Sequence, residues 1–334
     1  MAREDYDEIK GKFYKFIAVW KSRNVVDLDE IIDPAVICYI STVKAYACGS
    51  QHAKAGVRDF ILDMPERNVF HFRICNYVCR IAGEEAHQIG QAVCVAARYG
   101  QDENSVSTFE FTAMLSAHWI KKEGGWMINE LRIDILDNGG DLEEYREAFY
   151  FEEPKPRTYP GVHYPCICGE LDSPWHRIPN AEDIYTEEEE IGECFARYAF
   201  AIDNLVFAEL DRAVAEDAIA NIAPWVSMDK RSWISSLKYH RQRERQWAHP
   251  GKISKISING EEAEVEIYRM AGHKQRTHPY VYTKENIHRE HACAFYKIKC
   301  KKEDGKWKIK LCNYYLGIVE LGSWEDANDT TLVL

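Results

Sequence analysis

A four-residue sequence occurs twice in this chain, and the features around it repeat in the same order. Gly-Glu-Glu-Ala stands at residues 83–86 and again at residues 260–263, each time after a run typical of a β-strand. A glycine–tryptophan hairpin follows in each copy, as EGGWMINELRIDIL in the first and EDGKWKIKLCNYYL in the second. A glycine precedes the hairpin tryptophan by 115 residues in both copies, as Gly11 to Trp126 and Gly192 to Trp307. This agreement in order and spacing predicts a duplication that folds into two similar domains.

A proline-rich segment separates the two copies. Residues 151–180 contain six of the eleven prolines and have no periodic apolar pattern, which is typical of a linker. We therefore predict one domain over residues 1–150, a linker over 151–180, a second domain over 181–325 and a tail over 326–334.

The second copy indicates most clearly which elements one domain contains. Thr186 and Glu189 have the spacing of a helix capping box, and apolar residues then recur at helical spacing up to Leu205. Apolar and charged residues alternate over residues 262–267 and 306–311, which predicts two half-buried strands. Each domain is thus predicted to be α+β, with N-terminal helices packed on one face of a curved, mostly antiparallel sheet.

Composition excludes several classes of function. Fifty-four Asp and Glu against forty-two Lys and Arg give a net charge of −12, which disfavours nucleic-acid binding. No apolar stretch approaches the length of a membrane helix, and the first residues carry no apolar leader segment. The eleven scattered cysteines are typical of reduced, buried thiols, so we expect a cytoplasmic protein. There is also no phosphate-binding glycine loop and no Gly-x-Ser-x-Gly motif.

Three segments of the second copy resemble the SnoaL-like branch of the nuclear transport factor 2-like superfamily. They are FARYAFAIDNLVFAELDRAVAEDA, AHPGKISKISINGEEAEVEIY and FYKIKCKKEDGKWKI. The first copy looks like a diverged member, with FYKFIAVWKSRNVVDLDEII and SAHWIKKEGGWMI in matching places. The resemblance implies two tandem cone-shaped domains, in each of which the sheet wraps a long helix and encloses a pocket. Because the superfamily commonly pairs through sheets, we expect an intramolecular pseudo-dimer, while further homodimerisation stays open.

The resemblance also implies candidate catalytic residues in the second domain. Dehydratase-like members place a Tyr and an Asp on the first helix and a His before the Gly-acid-x-Ala turn, and these positions are Tyr198, Asp203 and His249 here. A His can act as the base for an acidic C–H, a Tyr can donate a hydrogen bond, and an Asp can orient the imidazole. We therefore predict a cofactor-independent, metal-free lyase of the dehydratase type, or an isomerase, acting on a hydrophobic carbonyl-bearing small molecule.

The residues themselves leave other interpretations open. Tyr198 lies on the apolar face of its predicted helix, where a tyrosine usually belongs to the core. Asp203, five residues later, points about 140° away, so both reach one pocket only if the helix ends or bends near Ile202. Otherwise Asp203 ends the helix at the surface. His249 precedes Pro250, which also fits a turn.

Two further residues are candidates for substrate binding. Arg289 and His291 share one face of a predicted strand if that strand is regular, and could then bind an acidic or carbonyl group. A surface position fits them equally well.

The first copy lacks the candidate catalytic set. Ile17 and Ser22 occupy the places of Tyr198 and Asp203, and His71 falls near the place of His249. The first domain is therefore predicted to be a structural partner or a separate binding pocket. A non-catalytic binding or assembly protein is the alternative function for the whole chain, and it predicts cones filled by their own aromatic side chains.

Overall fold

The computed structural model of the chain describes residues 2–41, 54–102, 104–142, 144, 166–222, 227–243, 248–270 and 280–324. The helices are α1 (Ala2–Ser22), α2 (Lys54–Leu62), α3 (Pro174–Arg177), α4 (Glu187–Asp203), α5 (Phe207–Ala213) and α6 (Lys230–Arg243). Short 3-10 helices span Val25–Glu30, Gly169–Asp172 and Asn286–His288. The strands are β1 (Ile32–Ile40), β2 (Val69–Ala82), β3 (Glu85–Tyr99), β4 (Val106–Lys122), β5 (Gly125–Gly140), β6 (Val214–Ile222), β7 (Met228–Asp229), β8 (Gly251–Asn259), β9 (Glu262–Met270), β10 (Arg289–Glu303) and β11 (Lys306–Ser323).

The strands form two sheets with closely similar topology. Sheet 1 has the order β1-β5-β4-β3-β2, and sheet 2 has the order β7-β6-β11-β10-β9-β8. β1 pairs with β5 in parallel, β6 pairs with β11 in parallel, and the other pairs are antiparallel. The predicted α+β fold class, with helices on two mostly antiparallel sheets, is confirmed.

Helix α1 covers one face of sheet 1. Phe13, Phe16 and Trp20 recur at helical spacing and are fully buried against the sheet. The Trp20 ring contacts those of Phe60, 5.2 Å away, and Phe72, 5.1 Å away. Burial of each such aromatic side chain stabilises the fold by about 1.5–3 kcal/mol, so this contact fixes α1 on the sheet.

Helix α4 is the matching helix of the second domain. It begins with the predicted capping box, in which the Glu189 amide donates to Thr186 Oγ1 at 3.2 Å and the Thr186 amide donates to Glu189 Oε2 at 2.9 Å. One face of α4 packs Phe195 against sheet 2, where its ring meets that of Tyr296 at 5.5 Å. The opposite face carries Phe200 and packs on the first domain.

Sheet 1 is buried on both faces, and its second face joins the two domains. Val78, Ile89 and Met114 on this face share an apolar cluster with Phe200 of α4. Nearer the other end of the sheet, another such cluster contains Met270 of sheet 2. The first domain therefore lies over helix α4 and over one end of sheet 2.

Other segments add to this arrangement. Within the predicted linker, residues 166–180 are described, and Ile167 and Trp175 are buried in the cluster that contains Phe200. Linker residues 151–165 and the predicted tail, 326–334, lie outside the described residues. Across the described ranges, no helix combines the length and apolar character needed to cross a membrane.

Candidate active site

Helix α4 ends at Asp203, one residue after Ile202, near which a pocket shared by Tyr198 and Asp203 would need the helix to end or bend. The amide of Asn204 bonds back to the carbonyl of Phe200 at 2.9 Å, and Leu205 takes a left-handed φ of 61° that turns the chain. The guanidinium of Arg241, on α6, donates to the main-chain oxygens of Ile202 and Asp203, both at 3.1 Å. These bonds satisfy carbonyls that have no partner inside a helix, so α4 can end in the protein interior.

Asp203 and Tyr198 lie on different faces of α4. Asp203 follows Phe200 by three residues and shares its side of the helix, toward the first domain. Tyr198 belongs to the core of the second domain, where its ring meets those of Phe195 at 5.8 Å and Trp233 at 5.4 Å. Tyr198 thus lies in the core, which is the position usual for a tyrosine on an apolar helix face. Asp203 is buried and does not end the helix at the surface.

His249, two residues before the start of strand β8, contacts Asp203. Nδ1 of His249 lies 2.5 Å from Oδ1 of Asp203, and the His249 amide donates to Oδ2 at 2.8 Å. The side chains are 5% exposed for His249 and 0% exposed for Asp203. The next residue, Pro250, accepts a 2.8 Å hydrogen bond from the amide of Met270. The His249 segment is therefore tied to β9 and to the end of α4.

Two residues of the first domain also form hydrogen bonds at the Asp203–His249 pair. Nε2 of Gln91, on β3, donates to Oδ2 of Asp203 at 2.5 Å. Nδ2 of Asn76, on β2, donates to Oε1 of Gln91 and to the main-chain oxygen of His249, the latter at 2.8 Å. Oδ1 of Asn76 accepts from the amide of Gly251 at 3.2 Å. Sequence reasoning missed both residues, and the signal it passed over is that each is polar within a run of apolar strand residues.

Burial and neighbouring charges set the protonation of the pair. Burial acts to raise the pKa of Asp203, but His249 and Arg241 outweigh it, so this pKa lies below its ordinary value. Burial and the charge of Arg269 together lower the pKa of His249 to about 4, although Asp203 acts in the opposite direction. At neutral pH the pair is therefore a carboxylate beside a neutral imidazole. Because a carboxylate oxygen only accepts, the imidazole proton lies on Nδ1, and Nε2 carries the lone pair.

Arg269 places a buried positive charge next to this pair. Its Nη2 donates to the main-chain oxygen of Ala248 at 2.7 Å, and its Nη1 donates to the hydroxyl of Tyr314 at 3.1 Å. Its position could have been found in the sequence. Arg269 continues the alternating series of core-facing residues Val265 and Ile267, so a charged side chain there is directed inward.

The predicted substrate-binding residues have different surroundings from each other. Arg289 is exposed and forms an ion pair with Glu320 at 2.8 Å. His291 is buried, and its ring centroid lies 4.1 Å from that of Tyr280. The pairing of β10 with β11 shifts register between Arg289 and His291, so the strand is not regular there. Their role in substrate binding stays a prediction.

Comparison with known proteins gives one family-model match, in the second half of the chain. Residues 184–313 match the family model of the SnoaL-like domain. No curated protein sequence matches the chain.

Several solved structures resemble part of the chain. An NTF2-like protein from Cytophaga hutchinsonii is 17% identical with a TM-score of 0.29, covering 40% of this chain and 100% of its own. An NTF2-like protein with a cystatin-like fold from Novosphingobium aromaticivorans is 16% identical with a TM-score of 0.29, covering 39% of this chain and 81% of its own. The association domain of C. elegans CaMKII is 16% identical with a TM-score of 0.32, covering 40% of this chain and 96% of its own.

Proposed function

Since residues 184–313 match the family model of the SnoaL-like domain, we propose that this chain is a cofactor-independent lyase of the dehydratase type or an isomerase. It acts in the second domain on a hydrophobic small molecule that carries a carbonyl group. The observation that supports this proposal is the buried Asp203–His249 pair, in which a carboxylate holds a neutral imidazole by its Nδ1 proton.

His249 is the general base of the proposed reaction. Its Nε2 takes the proton from the carbon next to the substrate carbonyl, and the electron pair of that C–H bond moves into an enolate. Asp203 orients the ring and stabilises the imidazolium that forms. In a dehydration the enolate then expels a hydroxyl group from the adjacent carbon, which leaves as water with the proton from His249. In an isomerisation the same proton returns to another carbon.

The enolate oxygen requires a hydrogen-bond donor, and Tyr198 is the candidate for it. Burial raises the pKa of the Tyr198 phenol well above its ordinary value, so the hydroxyl keeps its proton. Arg269 lowers the pKa of this phenol and Asp203 raises it, and both effects are smaller than that of burial.

The second candidate function is non-catalytic binding or assembly, since the SnoaL-like fold also includes domains without a reaction. The packed interiors of both domains favour it. Trp20 fills the first with its aromatic neighbours, and the rings of Tyr198, Trp233 and Tyr296 fill much of the second. Such filling leaves less room for a substrate.

Exchange of a substrate C–H proton with solvent separates the two functions. Full-length protein is incubated in deuterated water with a panel of hydrophobic ketones, and deuterium uptake next to the carbonyl is followed by mass spectrometry. We expect exchange that falls by about 10²-fold or more in His249→Gln, whose amide can still donate to Asp203 but cannot act as a base.

Tyr198→Phe is expected to lower exchange as well, and His176→Gln, at an exposed position, is the matched control. Unchanged exchange in both the His249 and Tyr198 variants contradicts the catalytic proposal. Saturable binding of a ketone without any exchange supports the binding protein instead.

A further inference from the structure

We propose that the first domain completes the site of the second, with Gln91 and Asn76 as positioning residues for the Asp203–His249 pair. This inference rests on the function proposed above, and it assigns to the first domain a role besides covering α4. The contacts that carry it cross between domains, and their residues are buried.

The direction of every hydrogen bond in this contact is determined by chemistry. The carboxylate of Asp203 can only accept, so Gln91 presents its amide nitrogen to Oδ2. The oxygen of Gln91 is then directed to the nitrogen of Asn76, whose own oxygen accepts from the amide of Gly251. A leucine at position 91 would break this series, whereas a residue with one donor and one acceptor would preserve it.

Asn76 holds the main chain on both sides of Pro250. It donates to the oxygen of His249 and accepts from the amide of Gly251, as a neighbouring strand would do. The register of β2 against β3 shifts between Cys75 and Val78, and Asn76 has a left-handed φ of 51°. A bulge of this kind redirects a side chain, which brings the amide of Asn76 to the second domain.

Gln91 fixes the rotation of the Asp203 carboxylate. Oδ2 receives the Gln91 amide and the His249 amide, which leaves Oδ1 aligned with Nδ1 of the imidazole. Without the donor from Gln91, the carboxylate loses one of three hydrogen bonds, and its alignment with the ring is less constrained.

The duplication indicates that the fold itself does not require glutamine here. Gln91 follows the repeated Gly-Glu-Glu-Ala segment by five residues, and Tyr268 has the same place in the second copy. Gln91 pairs with Met114 across sheet 1, and Tyr268 pairs with Phe295 across sheet 2. An aromatic side chain therefore occupies the corresponding position of sheet 2.

The test reads the protonation of His249 directly by NMR of the full chain with isotope-labelled histidine. The protonated Nδ1 and the unprotonated Nε2 of His249 give separate nitrogen signals, which are assigned, with that of the Nδ1 proton, by their loss in His249→Gln. In Gln91→Leu we expect the Nδ1 proton signal to move upfield or disappear through exchange with water, and the two tautomers to mix.

The matched control is Gln88→Leu, the same substitution on the same strand. Gln88 is fully buried, faces the other side of sheet 1, and has no hydrogen-bond partner among the described residues. The substitution Gln88→Leu should therefore leave the His249 signals unchanged. Gln91→Glu serves as the conservative variant, because a neutral carboxyl group has one donor and one acceptor. Its His249 signal should be retained in mildly acidic solution and lost in alkaline solution.

These outcomes separate the two proposals. The positioning role is overturned if the His249 signals in Gln91→Leu stay as they are in the original protein. It is also overturned if the His249 signals in Gln91→Glu do not depend on pH. If Gln91→Leu fails to fold, the pH response of Gln91→Glu decides alone. Signals that change as expected in a protein without deuterium exchange leave the positioning role intact and contradict the proposed function. Where exchange is present, Gln91→Leu should lower it about tenfold.

Discussion

This protein contains buried neutral histidines, so we expect its free energy of unfolding to decrease in mild acid. Burial lowers the pKa of His249 to about 4, with Arg269 acting in the same direction. Burial lowers the pKa of His87 to about 3, helped by the charges of Arg177 and His118. The perturbation is a decrease of the pH from about 8 to about 5, which spans the ordinary histidine pKa.

The sign follows from proton binding in the two states. A histidine of the unfolded chain takes up a proton near pH 6.5, whereas His249 and His87 in the folded chain stay neutral until about pH 4 or below. The unfolded state therefore binds more protons between these values, and the stability present above pH 6.5 is lost as the pH falls. At about pH 5 each residue reduces the free energy of unfolding by about 2 kcal/mol, together about 4 kcal/mol.

This loss is large beside a typical free energy of unfolding of about 5–15 kcal/mol. The assay is equilibrium urea unfolding at several pH values, followed by tryptophan fluorescence. We expect the original protein to lose at least about 4 kcal/mol between about pH 8 and about pH 5, because burial also lowers the pKa of His71 to about 4. His249→Gln should lose about 2 kcal/mol less over that range. His176→Gln, which changes an exposed histidine, is the control. A free energy of unfolding that stays constant over this range, or an unchanged loss in His249→Gln, would refute the reasoning.

Two glycine substitutions test the packing around the site and the helix of the first domain. In Gly251→Ala the new Cβ would lie 2.1 Å from Cε1 of Phe195, so we expect urea unfolding to show a loss of about 1–3 kcal/mol; an unchanged midpoint would show that α4 can shift. In Gly11→Ala the new Cβ meets nothing within 4 Å on an exposed position of α1, so stability should rise by about 0.5–1 kcal/mol. A decrease there would contradict the helical reasoning.

Much of the fold can be predicted from the sequence because the patterns that indicate it lie within single helices and strands. The capping box of Thr186 and Glu189 and the alternation over residues 262–267 depend on neighbours within one element, and both are present in the structure. The burial of both faces of sheet 1 depends on a partner more than a hundred residues away. β3 is buried along nearly its whole length, but His87, Gln88 and Gln91 interrupt its apolar residues, so its sequence does not name what covers the second face.

The candidate site likewise contains residues that a pattern within one element indicates and residues that no such pattern indicates. The five-residue spacing of Tyr198 and Asp203 predicts different faces of the helix, and the structure has them on different faces. Asp203 and His249, 46 residues apart, were named through the family resemblance. Gln91 lies 112 residues from Asp203, in the other domain, and no periodicity within a single element reports such a contact. Arg269 stands out locally as a charge in a core-facing series, whereas Gln91 and Asn76 stand out only as polar residues within apolar runs, which does not indicate their partners.

The helix α1, which has the same place in the first copy of the repeated pattern as α4 has in the second, gives a reference for the free-energy cost of burying Asp203. α1 ends at Ser22 and α4 ends at Asp203, the same place in the two copies, and Ser22 is exposed. A carboxylate at a helix C-terminus lies at the negative end of the helix dipole, and burial adds a desolvation cost. Arg241, His249 and Gln91 offset both effects. A helix end that the first copy makes with an exposed serine does not need this arrangement for folding, which supports a chemical role for the buried carboxylate and its histidine.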